Sequence, residues 1–363
     1  MKKVLFATTA LVATAGVAAA DVTLSGTAQM GLQGGDMLSG ATGDPVLSNM
    51  ETQFVQDIDV TFTLSGESDN GLTFGAAVDL DENAANVNTD DAGVAIFVSG
   101  NFGTLTMGDT DGALDWAMTE AWVGNAGSIN DDETSHVGAL GSYLDGAYDG
   151  QILRYNYSFD SFGFAVSVEM DDSGVRDEGY AVGFTYGMDF GGGSVDFGLG
   201  YQVATPRDLW NVGNVSQIIV AETTTGNAAD TTVGFGTYIG EVKALGVSAA
   251  VTLDNGLSAA LTFTDFDVES TTVGFSDFDT THVGVGVGYT FDAFTVSANW
   301  GQFEIDNYGE LTGYGLAAAY DMGGGLSMHL GYGHTDYAVT NAALPSQVDG
   351  DWQTWSFGLS MSF

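Results

Sequence analysis

Alternation at a period of two runs through most of this chain and constrains its fold more than any other feature. Residues 22–32 set Val22, Leu24, Ala28, Met30 and Leu32 on one face and Thr23, Ser25, Thr27 and Gln29 on the other. Residues 54–64 repeat the scheme, with Phe54, Ile58, Val60, Phe62 and Leu64 against Asp57, Asp59, Thr61 and Thr63. The pattern returns in Phe162/Phe164/Val166/Val168/Met170, Val195/Phe197/Leu199/Tyr201, Val283/Val285/Val287/Tyr289/Phe291 and Trp355/Phe357/Leu359/Met361/Phe363. Each is a strand with one apolar and one polar face. After the first twenty residues, no stretch approaches the roughly 18 consecutive apolar residues of a membrane-spanning helix. If the chain crosses a membrane, it does so as strands.

The polar face decides which side is the core. In a soluble sandwich, apolar faces pack on each other with large and small residues interdigitating. Here the polar face is Gly, Ser, Thr, Ala and some Asp, while the apolar face carries Phe and Tyr near strand ends. Charged residues make up only 15% of the chain, against roughly 25% in ordinary soluble domains. A lipid-facing apolar side, interfacial aromatics and a hydrated interior are what a transmembrane barrel needs. Closure is then compulsory, because an unpaired strand edge in hydrocarbon leaves bare amides and carbonyls.

The connections alternate in length. Short ones lie at Gly66–Gly71, Asn101–Gly103, Asp160–Gly163, Gly191–Gly193, Asp254–Gly256, Asp292–Ala293 and Gly323–Gly325. Longer polar ones lie at 33–52, 82–91, 110–150, 172–177, 204–241, 266–281, 304–311 and 340–350. Together they join sixteen strands with both termini on the short-turn side, the topology of outer-membrane barrels. The alternating run Thr231–Gly240 is the one place where an extra strand could enter. The expected fold is all-β: a 16-stranded antiparallel transmembrane β-barrel spanning residues 21–363.

The N-terminus and the charge set the compartment and exclude whole classes of function. Met1-Lys2-Lys3, an apolar run to Val17 and Ala18-Ala19-Ala20 read as a secretory signal, residues 1–20, cleaved before Asp21. Six basic residues face 48 acidic ones, a formal charge of −42. Nucleic acid is excluded as a partner, since displacing its counterions takes Lys and Arg. Without cysteine there is no disulfide, thiolate metal site or cysteine nucleophile. His136, His282, His329 and His334 are the only histidines, and no HExxH, GxSxG or Walker A motif accompanies them. The chain is therefore not expected to be an enzyme. Gly284–Gly288 (GVGVG) alternates with valines and reads as a lumen face, not a dinucleotide loop.

Four stretches carry a family resemblance: DVTLSGTAQMGL (Asp21–Leu32), FGTLTMG (Phe102–Gly108), ILRYNYSFDSFGFAVSVE (Ile152–Glu169) and the terminal WSFGLSMSF ending at Phe363. As an ordered set they resemble the general-diffusion porins of Gram-negative outer membranes, most closely the alphaproteobacterial branch. The resemblance implies a homotrimer in the outer membrane, surrounded by its lipid and lipopolysaccharide. It implies a water-filled channel for small hydrophilic solutes and ions, with the third outer loop, 110–150, folded inward as a constriction.

Within that loop, Leu114, Ala117, Met118, Ala121 and Trp122 recur at helical spacing and predict one short helix packed on the barrel wall. Asp109, Asp115, Glu120, Asp131, Asp132 and Glu133 are then the constriction acids. Arg154 is the matching wall base, facing solute, pinning the loop, or both. The family pattern places further wall bases, one of them shortly after the LTxG run. Here that position is Asp109, and only Arg154, Arg176, Arg207 and Lys243 follow the leader. Asp57, Asp59, Asp79 and Glu169, with His329, are expected to line the pore, which would then prefer cations. Asp109, Asp111, Asp131, Asp132 and Glu133 are candidate Ca²⁺ ligands, as is the Asp171/Asp172 pair, because hard divalent ions take clustered carboxylates. Solvated acidic loops explain these patches equally well, and no cofactor is required. Small residues near 246–260 and 313–319 are expected on outer faces, where neighbouring barrels could approach. Two alternatives remain: a substrate-specific channel on the same architecture, and a secreted Ca²⁺-binding β-roll or adhesin, for which GGGSVDFGL (Gly191–Leu199) is a single imperfect echo.

Overall fold

The computed structural model describes residues 21–38, 47–81, 94–121, 129, 136, 151–170, 177–205, 239–270, 277–307, 309–340 and 347–363. The proposed leader, residues 1–20, and the alternating run 231–238 lie outside the described residues. Sixteen strands follow in order. They are β1 (Asp21–Leu38), β2 (Leu47–Glu67), β3 (Thr73–Asp81), β4 (Ala95–Gly100), β5 (Gly103–Gly108), β6 (Ile152–Phe159), β7 (Phe162–Glu169) and β8 (Gly179–Phe190). Then come β9 (Gly193–Ala204), β10 (Ile239–Leu253), β11 (Leu257–Ser270), β12 (Phe278–Phe291), β13 (Phe294–Ile305), β14 (Gly309–Gly323), β15 (Leu326–Thr340) and β16 (Gln347–Ser362). Among the described residues one helix, α1 (Ala113–Ala117), lies between β5 and β6.

Each strand pairs antiparallel with its sequence neighbours, and β1 pairs with β16 from Thr27↔Ser362 to Gly35↔Thr354, closing the barrel. The Phe363 amide donates to the Gly26 carbonyl at 2.9 Å, so the last residue is built into the seam. No strand edge is left to hydrocarbon, which is what a membrane demands of a sheet. A continuous antiparallel ring of this kind is not the coil of a β-roll. β9 pairs directly with β10, so the long connection between them adds no strand to the ring.

Side-chain direction follows the alternation. Phe54, Ile58, Phe62 and Leu64 on β2, Leu261 and Phe263 on β11, and Val285 and Val287 on β12 are exposed on the outside, although they are large and apolar. The short-turn end carries an aromatic girdle. Phe159 stacks on Phe162 (5.8 Å), Phe162 meets Tyr186 (4.7 Å) and Tyr186 meets Phe197 (6.5 Å). Farther round, Phe291 stacks on Phe294 (5.6 Å), which meets Tyr320 (4.6 Å). Such rings sit where lipid meets water, because one part of an aromatic side chain is apolar and its tip or edge tolerates hydration. The turns beneath are tight. Gly323, Gly324 and Gly325 all take positive φ, which residues with a Cβ adopt only at a cost.

Three sequence expectations change here. β1 and β2 continue to Leu38 and from Leu47, and β11 and β12 to Ser270 and from Phe278, so loops 33–52 and 266–281 are shorter than expected. Second, the inner wall is not uniformly small and polar: Phe266, Val268, Phe303, Ile305, Leu311 and Tyr337 form a buried apolar cluster at the loop ends of β11, β13, β14 and β15. Third, the small residues near 246–260 and 313–319 divide between the two faces. Gly246, Ala250, Ala260, Gly313 and Ala317 point inward, and the loop that crosses the lumen rests on two of them.

Candidate functional site: an inward loop on a glycine-lined wall

After Gly108 the chain turns into the barrel instead of over its rim. Helix α1 is five residues long and ends where Met118 turns extended (φ −84°, ψ 156°). The predicted helix therefore stops before Ala121, and Trp122 lies outside the described residues. The predicted packing survives the shorter helix, since Ala113, Leu114, Ala117, Met118 and Ala121 are all buried. The wall supplies fixed polar partners where the helix stops supplying its own. The Ala113 amide donates to Ser167 Oγ (2.9 Å) on β7, and the Thr119 amide donates to Ser248 Oγ (2.9 Å) on β10.

Glycines make the close approach possible. A Cβ at Gly183 on β8 would overlap the Ala113 carbonyl, and one at Gly198 on β9 the Ala117 carbonyl. At Gly200 it would strike Leu114, and at Gly246 on β10 it would lie 2.8 Å from Met118 Cε. Gly286 on β12 has no room for a Cβ because the Ala121 carbonyl occupies it. Farther along the loop, Ile129 fits where Gly31 of β1 and Gly358 of β16 leave space, and His136 lies against Gly313 of β14. These are the GVGVG glycines and their counterparts on neighbouring strands. The sequence marks them as an inner face, and the structure gives them the task of seating the loop.

The loop thus lies against the inner wall from β7 to β10 and again at β12, β14, β16 and β1. On the inner faces of β2 and β3 the described carboxylates are half-buried or exposed. Asp57, Asp59 and Asp79 stand there at mid-height. Asp59 accepts from Thr27 Oγ1 (3.0 Å) and Asp79 from Thr61 Oγ1 (3.1 Å), so the carboxylates are held against the wall by neutral donors. Asp59 is also in register with Asp81. Across from them the loop presents half-buried Asp115 and Glu120 and exposed Asp111.

Arg154 is the basic residue on this inner face among the described residues. Its Nη1 donates to the Asp111 carbonyl (2.6 Å) and lies 3.5 Å from Asp111 Oδ2, within electrostatic reach of Asp115. The guanidinium is spent on holding the loop, the pinning role that the sequence left open.

The other site residues scatter. Glu169 is inward-facing on β7 but fully buried, not pore-lining as expected. Gln202 Nε2 donates to both its oxygens (3.0 and 2.9 Å) and Ser167 Oγ to Oε1 (3.3 Å), beneath Gly112. The entering loop covers it, which no single-strand pattern reveals. His329 faces inward but sits near the short-turn end of β15, bonded to Ser327 Oγ (2.7 Å), away from the constriction. His334 points outward, 3.2 Å from Asp336 and against the Tyr314 ring. Asp109 caps β5, its amide donating to the Val94 carbonyl (2.9 Å). Asp131, Asp132, Glu133, Asp171 and Asp172 lie outside the described residues. Among the described residues no three carboxylate or histidine groups gather as metal ligands, and Asp111 already faces Arg154.

Sequence reasoning missed His136 as anything beyond a histidine count. It is almost fully buried, with Nε2 2.6 Å from Asn299 Oδ1 on β13. The one available signal was the long loop itself, which must be fastened somewhere along its course.

Comparison with known proteins agrees with this geometry. The family model described as Gram-negative porin matches residues 7–340. A Rhodobacter capsulatus protein named porin is 28% identical over 321 residues, 87% of this chain and 95% of that one. Among solved structures, a porin refined at 1.8 Å resolution superposes with a TM-score of 0.66 at 24% identity, covering 94% of this chain and all of its own. A loop-deletion mutant of the Vibrio cholerae outer-membrane protein OmpT superposes with a TM-score of 0.63 at 13% identity, covering 95% and 99%. With a ring of sixteen outward-apolar strands, a loop laid along its inner wall and a family match over most of its length, the chain belongs to the Gram-negative porins of the bacterial outer membrane.

Proposed function

We propose that the channel prefers cations. The observation that carries this reading is the pairing of carboxylates on both sides of the passage. Asp57, Asp59 and Asp79 stand on the β2–β3 wall and Asp115 and Glu120 on the loop, while Arg154 is engaged with Asp111. A pore walled by one sign of charge raises the concentration of the opposite ion inside it. The test is the reversal potential of a bilayer-reconstituted channel under a KCl gradient. The expected sign is that of a cation-preferring pore, and replacing Asp57, Asp59 and Asp79 with Asn should lower the cation-to-anion permeability ratio severalfold. An anion-sign potential in the unmodified protein overturns the reading.

The same proposal includes a leader at residues 1–20 that is removed on export, and assembly as a homotrimer. Assembly is supported by the low wall at β5 and β6. Their ladder runs only from Thr104↔Asn156 to Gly108↔Ile152. Six residues of strand rise about 20 Å, less once tilted, against an apolar band of about 25 Å. A wall lower than the hydrocarbon, with Leu105, Met107 and Leu153 exposed on it, suits burial against another barrel better than contact with lipid. The number three comes from the family resemblance. Chemical cross-linking in mild detergent should trap trimers, and a protein that stays monomeric there contradicts this part.

A further inference from the structure

His136 is a buried imidazole that the passage of solutes does not use. Its Nε2 donates to Asn299 Oδ1 at 2.6 Å, which leaves Nδ1 as the bare, acceptor nitrogen. That Nδ1 is fully buried and has no hydrogen-bond partner among the described residues. It faces the Cα of Gly313, where an added Cβ would lie only 2.5 Å from it. Among the described residues the surrounding wall offers no counter-charge. β12 contributes the buried imidazole of His282, itself packed on Phe303 at 4.5 Å. β13 contributes the neutral Asn299 amide, β14 the backbone of Gly313 and β15 the carbonyl of His334.

We infer that His136 is a positioning residue that fastens the constriction loop to the β13–β14 wall in its neutral form only, so that acid loosens the constriction. Protonation puts a second N–H at Nδ1, a buried donor facing a methylene, and leaves an uncompensated charge beside His282. Both effects act in the same direction, and burial, with His282 adding to it, lowers the His136 pKa from 6.5 to about 4 despite the opposing bond to Asn299. A released His136 has its ordinary value, so the docked state loses ground once pH falls below about 6.5. The loss continues until the docked imidazole itself protonates, near 4. Each unit between the two values is about a factor of ten in the docking equilibrium. Of the other described fastenings, Ala113 to Ser167 and Thr119 to Ser248 join backbone amides to hydroxyls that do not titrate in this window, and Arg154 holds the Asp111 carbonyl, a neutral acceptor, as well as its carboxylate.

The test is single-channel recording of the full-length channel from pH 7.5 to 3.5, reading open-channel conductance and current noise. The unmodified protein should show an acid transition between pH 6.5 and 4, superposed on the gradual titration of the passage carboxylates. In His136→Gln, whose amide can still donate to Asn299, that transition should be absent while the gradual titration remains. In Asn299→Asp a carboxylate faces the imidazole and favours its charged form in the docked state, which closes the gap between the docked and released values, so the acid transition should shrink or vanish. A transition that persists in His136→Gln, or is undiminished in Asn299→Asp, overturns the inference. Should either variant fail to assemble, imidazole NMR of the unmodified protein decides alone. A His136 resonance titrating below pH 5 supports the fastening, and one titrating near 6.5 refutes it.

Discussion

Gly198 and Gly286 show how a single inner-wall position is decided by chain far away in sequence. Each lies in strand, where glycine is ordinarily a weak choice, and each abuts a carbonyl of the entering loop, that of Ala117 or Ala121. Gly198→Val or Gly286→Val is expected to lower thermal stability by about 1–3 kcal/mol or to displace the loop, as overpacking does in a close-packed interior. Heat-induced loss of the folded electrophoretic form checks this, with Val285→Ala on the outer face as a milder control. Arg154→Gln removes the pin to Asp111, and is expected to raise single-channel noise while leaving the sign of ion preference unchanged. A reversed sign would mean that the guanidinium faces solute. The sequence shows that these glycines alternate with valines and that Arg154 is nearly alone. It does not show what lies against them, because packing inside the barrel joins residues on separate elements far apart in the sequence.

At the scale of the element, the strands were legible because lipid on one side and water or loop on the other impose the period of two on nearly every one. Their ends were less so. Phe266 and Val268 look like the start of a loop because they follow Asp265 and precede Glu269, yet they are strand residues turned into a buried cluster. Helix α1 is shorter than its spacing predicts for a related reason: Ala121 sits at helical spacing from Ala117 and packs on the wall, but beyond the end of the helix. The two faces of a strand should tolerate charge differently. Leu261→Arg, in the outer band of β11, is expected to cost about 2–4 kcal/mol of folding stability in a bilayer. Thr61→Arg, on the inner face of β2, is expected to cost far less and to shift ion preference toward anions. Unfolding titrations in lipid, paired with reversal potentials, measure both.

For the whole molecule, closure follows from what the sequence already implies, since an open sheet of such strands has no stable place in hydrocarbon. The off-centre passage does not follow. It depends on the loop resting along the wall from β7 to β10, a result of glycine placement on many strands together. The central claim is that the small-residue side of each strand meets water while the apolar side meets lipid. The chain has no cysteine, so single substitutions report without background. Asp59→Cys and Asn156→Cys face the passage, whereas Leu261→Cys and Val285→Cys face outward. A membrane-impermeant methanethiosulfonate reagent should react with the first pair in reconstituted channels and reduce the single-channel current, and should leave the second pair unmodified. Equal reaction at both pairs, or current loss from the outward pair, would contradict the assignment of the two faces.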